Sequence, residues 1–157
     1  MDVIAPAPAC RHLTLSIATE RATQFIDLTE RLEALIDQAG IDAGLVNVQA
    51  LHTTAGIAVN EHEPLLLGDV DALLERLAPV DGLYAHDDMA RRTVNLVPGE
   101  PANGHAHCRA LLLGQSASLH IANGRLRLGR WQRVFLVELD GPRARDVSVL
   151  LLGSAAR

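Results

Sequence analysis

The chain has 157 residues, of which 48% are hydrophobic and 21% are charged, and its formal net charge is −5. This size and composition predict one compact domain with its own hydrophobic core. The acidic balance argues against a general nucleic-acid binder, whose surface would be basic. All 14 basic residues are arginines. Schiff-base catalysis and a P-loop lysine are therefore excluded, and any phosphate must be held by arginine, backbone amides or a metal ion.

The start of the chain and the two cysteines lead to expectations about location and about cysteine chemistry. The first residues lack a basic start and an apolar run, and no stretch approaches the roughly 18 to 20 apolar residues of a membrane span. We expect a flexible segment over residues 1–10, a single domain over residues 11–157, a cytoplasmic location and no membrane partner. Cys10 and Cys108 form no CxxC pair, which argues against a thiolate zinc site. Cys108 directly follows His107, but we expect a small core residue rather than a nucleophile.

Periodicity in the first half of the chain predicts strands and helices. Residues 11–19 alternate at period two and predict a strand, and a short extended piece then leads into an amphipathic helix that ends at Gly40. Residues 44–61 predict two more strands, separated by an irregular segment at 53–56. Apolar residues at helical spacing predict a second helix over residues 64–77, with a proline in its first turn.

The second half opens with a long region without periodicity, residues 78–103, whose composition predicts a loop. A short helix follows, with Asn103 as its N-cap and Gly114 as its C-terminal stop. Asn123-Gly124 predicts the turn of a β-hairpin. Two long apolar strands, joined by a turn at residues 140–143, complete the chain and should lie inside a sheet that is covered on both faces. Together the elements predict an α+β fold with a mixed, largely antiparallel sheet and about three helices.

Two polar side chains fall at positions where the pattern predicts burial. Period-two alternation puts His52 on the apolar face of Val46 and Val48, and a buried histidine needs a hydrogen-bond partner or a metal ion. Glu138 lies inside an apolar strand. We therefore expect its carboxylate to be ion-paired, metal-bound or raised in pKa. Asp69, at the edge of a helical apolar stripe, could be an ordinary boundary carboxylate.

The other histidines lie in the long loop and in the short helix after it. His86 stands beside two acids, where it could be a ligand, an acid–base group or a solvated side chain. His107 shares a helical side with Ala110 and Leu111, the side expected to face the sheet, and His105 cannot share it. No metal-ligand spacing of the HExxH type is present, so His52 could meet the others only through the fold. The arginines of the last third could form an anion site or a solvated hairpin face.

The segments that carry a family resemblance are spread along the chain: they are HTTAGIAVNE, YAHDD, NGHAHCRALLLGQS, GRLRLGRWQRVFLVELDGPR and VSVLLLG. In order and spacing they resemble the YjbQ-like family, also called the secondary thiamine-phosphate synthase family, from about residue 11 to residue 153. The resemblance implies a small mixed α/β fold, a homotrimer and a polar pocket near subunit contacts. Family members have been linked to weak thiamine-phosphate synthase activity, which joins a thiazole phosphate to a pyrimidine pyrophosphate.

The resemblance also implies which residues form the site. The family's histidines map onto His52, His86 and His107, with amide and acidic partners at Asn60, Glu61, Asp69 and Glu138. The leading hypothesis is a small metal-assisted enzyme that acts on a phosphorylated heterocyclic metabolite. In this hypothesis the catalytic residues are His52, Glu61, His86, His107 and Glu138, and the same three histidines hold a divalent metal, with zinc the expected ion. The substrate would be bound by Thr53, Thr54, Asn60, Asp69, Arg130 and Arg143.

Two other hypotheses fit the same residues. The first is a non-catalytic trimeric module that binds a metabolite or an anion in the same polar pocket. The second is a purely structural subunit, in which substitution of the histidines would alter stability but no binding signal.

Overall fold

Two antiparallel β-sheets and three α-helices make up residues 9–155, which are the residues that the computed structural model describes. The strands are β1 (Ala9–Ala18), β2 (Gln24–Asp27), β3 (Ala43–Ala50), β4 (Ala55–Glu61), β5 (Ser116–Ala122), β6 (Arg125–Leu126), β7 (Gln132–Glu138) and β8 (Ala144–Ser154). The helices are α1 (Thr29–Ala39), α2 (Pro64–Leu77) and α3 (Gly104–Leu113), with a short 3₁₀ helix at Ala85–Asp87. The predicted α+β fold is confirmed.

The larger sheet has the strand order β1-β8-β3-β5-β6, and the smaller sheet has the order β2-β7-β4. Every strand pairing within the described range is antiparallel. Strand β1 begins at Ala9, so Ala9 and Cys10 belong to the sheet rather than to a flexible segment. The rest of that predicted segment, residues 1–8, lies outside the described residues.

The main core lies between the two sheets and α1. The buried residues include Val46 and Val48 of β3, Val149 of β8, Leu136 of β7 and Leu32 of α1. A second apolar cluster forms on the other face of the smaller sheet, where α2 and α3 pack against β7. Strand β7 is therefore covered on both faces, which explains why its sequence lacks the apolar–polar alternation of a half-exposed strand.

Strand β8 differs from the prediction of burial on both faces. It lies inside the larger sheet, with Val147, Val149 and Leu151 buried, but Leu150 and Leu152 on its other face are 37% and 43% exposed. Helices cover only the smaller sheet from outside, so the outer face of the larger sheet is open in a single chain.

Turn chemistry agrees with the sequence at two places. Gly40 ends α1 in the left-handed region, with φ of 63°, where a residue without a Cβ is favoured. Asn123 and Gly124 have φ of 55° and 71°, as a two-residue hairpin turn requires. Within residues 9–155, no helix is both long enough and apolar enough to cross a membrane.

Candidate functional site

A polar cavity of about 900 Å³ lies where three separate segments meet. The first segment follows β3 and includes His52 and Thr54, and the second is the long loop with His86 and the start of α3. The third is the turn between β7 and β8, which includes Arg143. Its volume lies within the range of about 300–1,000 Å³ that is usual for small-molecule sites. The region without periodicity therefore forms a wall of the cavity.

His52 obtains its hydrogen-bond partner from the backbone. Its Nε2 accepts a hydrogen bond from the Asp146 amide at 2.8 Å, and its carbonyl accepts one from the side chain of Gln115 at 3.3 Å. Burial lowers the pKa of His52 below its usual value, and the Arg145 guanidinium lowers it further. The ring is therefore neutral at pH 7.

His86 and His107 stand side by side in the cavity, with their ring centroids 4.5 Å apart and the rings edge to face. Burial lowers the pKa of His107, and the neighbouring His86 adds to this effect. The fold thus brings all three predicted histidines to one cavity, although they come from distant parts of the sequence.

The predicted metal centre does not fit these residues in a single chain. Within residues 9–155, no group of three or more His, Cys, Asp and Glu side chains has an arrangement that could hold a metal ion. In addition, Nε2 of His52 is already occupied by the Asp146 amide. Zinc sites in proteins usually need at least three protein ligands, so His86 and His107 alone do not make one.

Helix α3 buries only part of the face predicted, because Ala110 is buried but Leu111 is not. Leu111 is 85% exposed and Cys108 is exposed, whereas His105 is 9% exposed. The reason is Arg109, whose buried guanidinium donates to the Ala78 carbonyl at 2.9 Å and pairs with a carboxylate of α2. Apolar periodicity missed this face because a charged residue lies in its centre, and so the expectation that Cys108 is a core residue was wrong.

Glu138 is completely buried and its carboxylate is saturated. Oε1 accepts from Arg145 at 2.5 Å and from the amides of Leu139 and Asp140 at 2.9 and 2.8 Å. Oε2 accepts from Arg145 Nε at 2.7 Å and from the Thr19 hydroxyl at 2.9 Å. Burial raises the pKa of Glu138, but these hydrogen bonds outweigh it and the net pKa is lowered. Of the three predicted outcomes for this carboxylate, the ion pair is the one observed.

This arrangement conflicts with a catalytic role for Glu138. Its side chain is not part of the cavity lining, and within residues 9–155 no histidine forms a hydrogen bond with its carboxylate. Thr54, predicted to bind substrate, accepts a hydrogen bond from Arg145 Nη2 at 3.0 Å and lines the cavity. Thr53 lines it as well.

Asp140 and Asp87 accept hydrogen bonds from the residues at the N-terminus of α3. Asp140 accepts from the side chain of Asn103 at 2.9 Å and pairs with Arg143 at 2.9 Å. Asp87 accepts from the amides of Asn103 and Gly104 at 3.0 and 2.9 Å. Asn103 is thus the N-cap residue, as predicted, but a carboxylate from the preceding loop supplies the capping side chain.

Arg92 gives the loop wall its shape. Its guanidinium pairs with Glu100 and donates to the carbonyls of Val94 and Asn95 at 3.3 and 2.6 Å. One half-buried arginine therefore closes the segment between residues 92 and 100. Arg92 was not among the predicted site residues, because neither periodicity nor a known motif marks it in the sequence.

Four of the predicted site residues lie away from the cavity: they are Asn60, Glu61, Asp69 and Arg130. Strand β4 runs for seven residues, which at about 3.3 Å per residue carries its end roughly 20 Å from its start at the cavity. Asn60 and Asp69 are exposed. Arg130 is exposed and stacks over the Trp131 ring, with 4.5 Å between its Cζ and the ring centroid.

Fold and site together define a small α+β protein in which a polar cavity gathers histidines, arginines and paired carboxylates. A family model described as UPF0047 protein YjbQ-like matches residues 13–154. The chain therefore belongs to the YjbQ-like, or UPF0047, family.

Relatives and solved structures agree with this assignment. The UPF0047 protein of Methanothermobacter thermautotrophicus is 37% identical over 139 residues, which cover 88% of this chain and 90% of that protein. The UPF0047 protein YugU of Bacillus subtilis is 33% identical over 140 residues, which cover 89% and 98%. A YbjQ-like protein of unknown function from Sulfolobus solfataricus has a similar structure, with a TM-score of 0.84 at 30% identity, covering 94% of this chain and 100% of that chain. A hypothetical protein from Aeropyrum pernix K1 has a TM-score of 0.80 at 35% identity, covering 92% and 99%.

Replacement of Glu138 tests whether its role is structural. Glu138→Gln should lower the free energy of unfolding by roughly 3–5 kcal/mol, because Arg145 is left buried without its charged partner. Because the folded-state pKa of Glu138 is lowered, this stability is present at neutral pH and is lost as the pH falls through the carboxyl range. Urea unfolding of wild type and variant at pH 7 and at lower pH measures both effects.

The matched control is Glu30→Gln, which removes a carboxylate that is 81% exposed in its own ion pair and should have a much smaller effect. A Glu138→Gln variant as stable as wild type would show that the buried pair does not hold the fold together.

Proposed function

We propose that the cavity binds a phosphorylated metabolite, and that the protein acts on it through hydrogen bonds and charge supplied by its own side chains. The observation that supports this most directly is the position of Arg143. One of its guanidinium nitrogens pairs with Asp140, and its side chain is 39% exposed in the cavity lining. A guanidinium has five N–H donors in a planar fork that matches phosphate oxygens, so donors remain for a ligand.

The other cavity arginines are less available. Arg145 is almost fully buried against Glu138, and Arg92 pairs with Glu100 while it supports its loop. Arg91 is 77% exposed, and its nearest carboxylate, that of Asp88, lies 3.9 Å away. We therefore assign Arg143 the role of fixed anion ligand. Arg91 would be a mobile second contact.

The reaction that we propose follows from the family resemblance. Thiamine-phosphate formation makes a bond between the thiazole nitrogen and the pyrimidine methylene carbon, and pyrophosphate leaves. The cavity, at about 900 Å³, is large enough for two small substrates. Arg143 and the neutral histidines would stabilise negative charge on the leaving group, because preorganised donors are most effective where charge develops. We assign no step of this reaction to a metal ion, because the His, Cys, Asp and Glu side chains of residues 9–155 do not form a metal site.

A non-catalytic binding module is the second candidate, and one observation favours it. The carboxylates of the cavity lining, Glu100 and Asp140, are each paired with an arginine. Neither is free to accept a proton. A site of this kind suits binding of an anion at least as well as acid–base chemistry.

We also propose that the protein forms a homotrimer. On the outer face of the larger sheet, Leu45 lies opposite Leu152 in the β3–β8 pairing, and Leu150 follows on the same face. These three side chains are 43%, 43% and 37% exposed. Contiguous exposed apolar residues of this kind commonly mark protein–protein contacts, and the family resemblance implies three subunits.

Phosphate binding tests the proposed ligand class. Arg143→Ala should weaken the binding of inorganic pyrophosphate about tenfold or more, because one charge-assisted contact is lost. Arg125→Ala, which removes an exposed arginine of β6 outside the cavity, should leave the affinity unchanged. Isothermal titration calorimetry measures both. Equal affinities for wild type and Arg143→Ala would remove Arg143 from the proposed site.

Complementation of a strain that lacks its ordinary thiamine-phosphate synthase tests the proposed reaction. The wild-type protein should restore growth without thiamine, and His107→Ala should not, because His107 lines the cavity against His86. Arg76→Ala, at an exposed position of α2 outside the cavity, is the control and should restore growth. If the wild-type protein binds pyrophosphate but gives no growth, the binding module becomes the better proposal.

Sedimentation velocity tests the proposed trimer. Wild-type protein should sediment as a single species of three chains, and the double variant Leu150→Glu with Leu152→Glu should shift toward monomer, because charges on an apolar contact face oppose association. A wild-type protein that sediments as a monomer at micromolar concentration would contradict the proposal.

A further inference from the structure

The hydrogen bond between Asp146 and His52 determines which ring nitrogen carries the proton. The Asp146 amide donates to Nε2 at 2.8 Å, and an N–H group can donate only to an unprotonated nitrogen. In a neutral imidazole one nitrogen is a donor and the other an acceptor. The proton of His52 therefore resides on Nδ1.

Nδ1 is accessible from the cavity. Within residues 9–155, no side chain or carbonyl accepts a hydrogen bond from Nδ1, although every buried side-chain nitrogen and oxygen has a partner. Nδ1 is consequently not among the buried atoms. Because His52 is part of the cavity lining, its free N–H group is available to a ligand there.

The position of the ring is fixed by the larger sheet. The Leu51 amide donates to the Asp146 carbonyl at 3.0 Å, next to the bond from the Asp146 amide to His52. The Asp146 carboxylate in turn accepts from the Ser16 hydroxyl at 2.6 Å. Residues 51 and 52 are thus tied to β8 by one backbone hydrogen bond and one from the Asp146 amide to the ring, and the ring cannot exchange its two nitrogens without losing the second.

We infer that His52 is a fixed Nδ1–H donor to an anionic oxygen bound in the cavity, and neither a metal ligand nor a proton acceptor there. A neutral imidazole bound to a metal through Nδ1 would carry its proton on Nε2, where it would meet the Asp146 N–H group. The lowered pKa of His52 agrees with a neutral ring. This inference rests on the proposed function, because it assigns one contact to the phosphorylated ligand.

The chemistry of the ligand follows from this donor. Nδ1–H of His52 and the free N–H groups of Arg143 both require an acceptor, and both residues line the same cavity. Phosphoryl oxygens offer acceptors only, whereas an alcohol or an amine would present donors as well. The pair therefore favours a phosphate or pyrophosphate group over a neutral polar group at this end of the cavity.

Nitrogen NMR of the free protein tests the tautomer without any ligand. In ¹⁵N-labelled protein at pH 7.5, the His52 signals, assigned by their loss in His52→Gln, should show a protonated Nδ1 and an unprotonated Nε2. Addition of zinc in equimolar amount should leave them unchanged. A protonated Nε2, or a His52 signal that shifts on binding zinc, would overturn the inference.

Two substitutions of His52 separate its two nitrogens. Asparagine places an amide near the position of Nδ1 and so keeps the donor, whereas glutamine places its amide near Nε2 and keeps the acceptor for Asp146. His52→Gln should retain most of the thermal stability and weaken the binding of inorganic phosphate about tenfold. His52→Asn should lower the melting temperature but weaken phosphate binding less than His52→Gln does.

Arg76→Gln, at an exposed position of α2 outside the cavity, is the control and should change neither property. If His52→Asn weakens phosphate binding more than His52→Gln, the donor role is wrong. If wild-type protein does not bind phosphate or pyrophosphate at all, the proposed function fails and the anion contact fails with it. The NMR result still decides the tautomer separately.

Discussion

The ion pair between Glu138 and Arg145 is the contact on which the arrangement of the cavity depends. Glu138 ends the central strand of the smaller sheet, and Arg145 lies near the start of β8 inside the larger sheet. Five hydrogen bonds converge on the carboxylate, including those from Thr19 and from two backbone amides. Arg145 also donates to Thr54, just before β4. The pair therefore joins the two sheets at the edge where the cavity opens.

The cavity geometry follows from that junction. Thr19 holds the turn after Glu138, because its hydroxyl donates to the carboxylate while the Arg143 amide donates to the same hydroxyl at 2.8 Å. This β7–β8 turn positions Arg143 and Asp140. Asp146, the residue after Arg145, supplies the amide that orients His52. A buried ion pair is a weak source of net stability, because desolvation offsets the attraction. Its consequence here is positional, since Arg143 lies two residues before Arg145 and the amide that orients His52 belongs to the next residue, Asp146.

Local sequence patterns were sufficient for most of the fold. Alternation identified β1, β3 and β4, the Asn123-Gly124 turn identified the hairpin, and continuous apolar runs identified β7 and β8. Each of these signals depends on neighbouring residues alone. The buried face of α3 depends instead on Arg109 reaching the Ala78 carbonyl, and the cap of the same helix comes from Asp87, far along the loop. Such contacts between distant segments leave no periodic trace, which is why the face of α3 was assigned incorrectly in part.

The same distinction explains which site residues could be foreseen. Periodicity showed that His52 and Glu138 point inward, and family resemblance grouped His52 with His86 and His107, which the fold does bring to one cavity. Neither signal could say that a backbone amide occupies Nε2 of His52 or that Arg145 saturates Glu138. Those two contacts change the expected chemistry. They remove one metal ligand and one proton carrier from the predicted set.

The cavity surface offers hydrogen-bond donors to a ligand, and its carboxylates are already paired with arginines. Asp140 and Glu100 are each engaged by an arginine, and His52 and His107 are neutral at pH 7 because burial lowers their pKa values. A ligand rich in acceptors can therefore enter without competing against a free carboxylate. A cationic or donor-rich ligand would find no unpaired acceptor among the lining carboxylates. The selectivity for anions that we propose would thus result less from the net charge of the site than from the arginine pairing of its carboxylates.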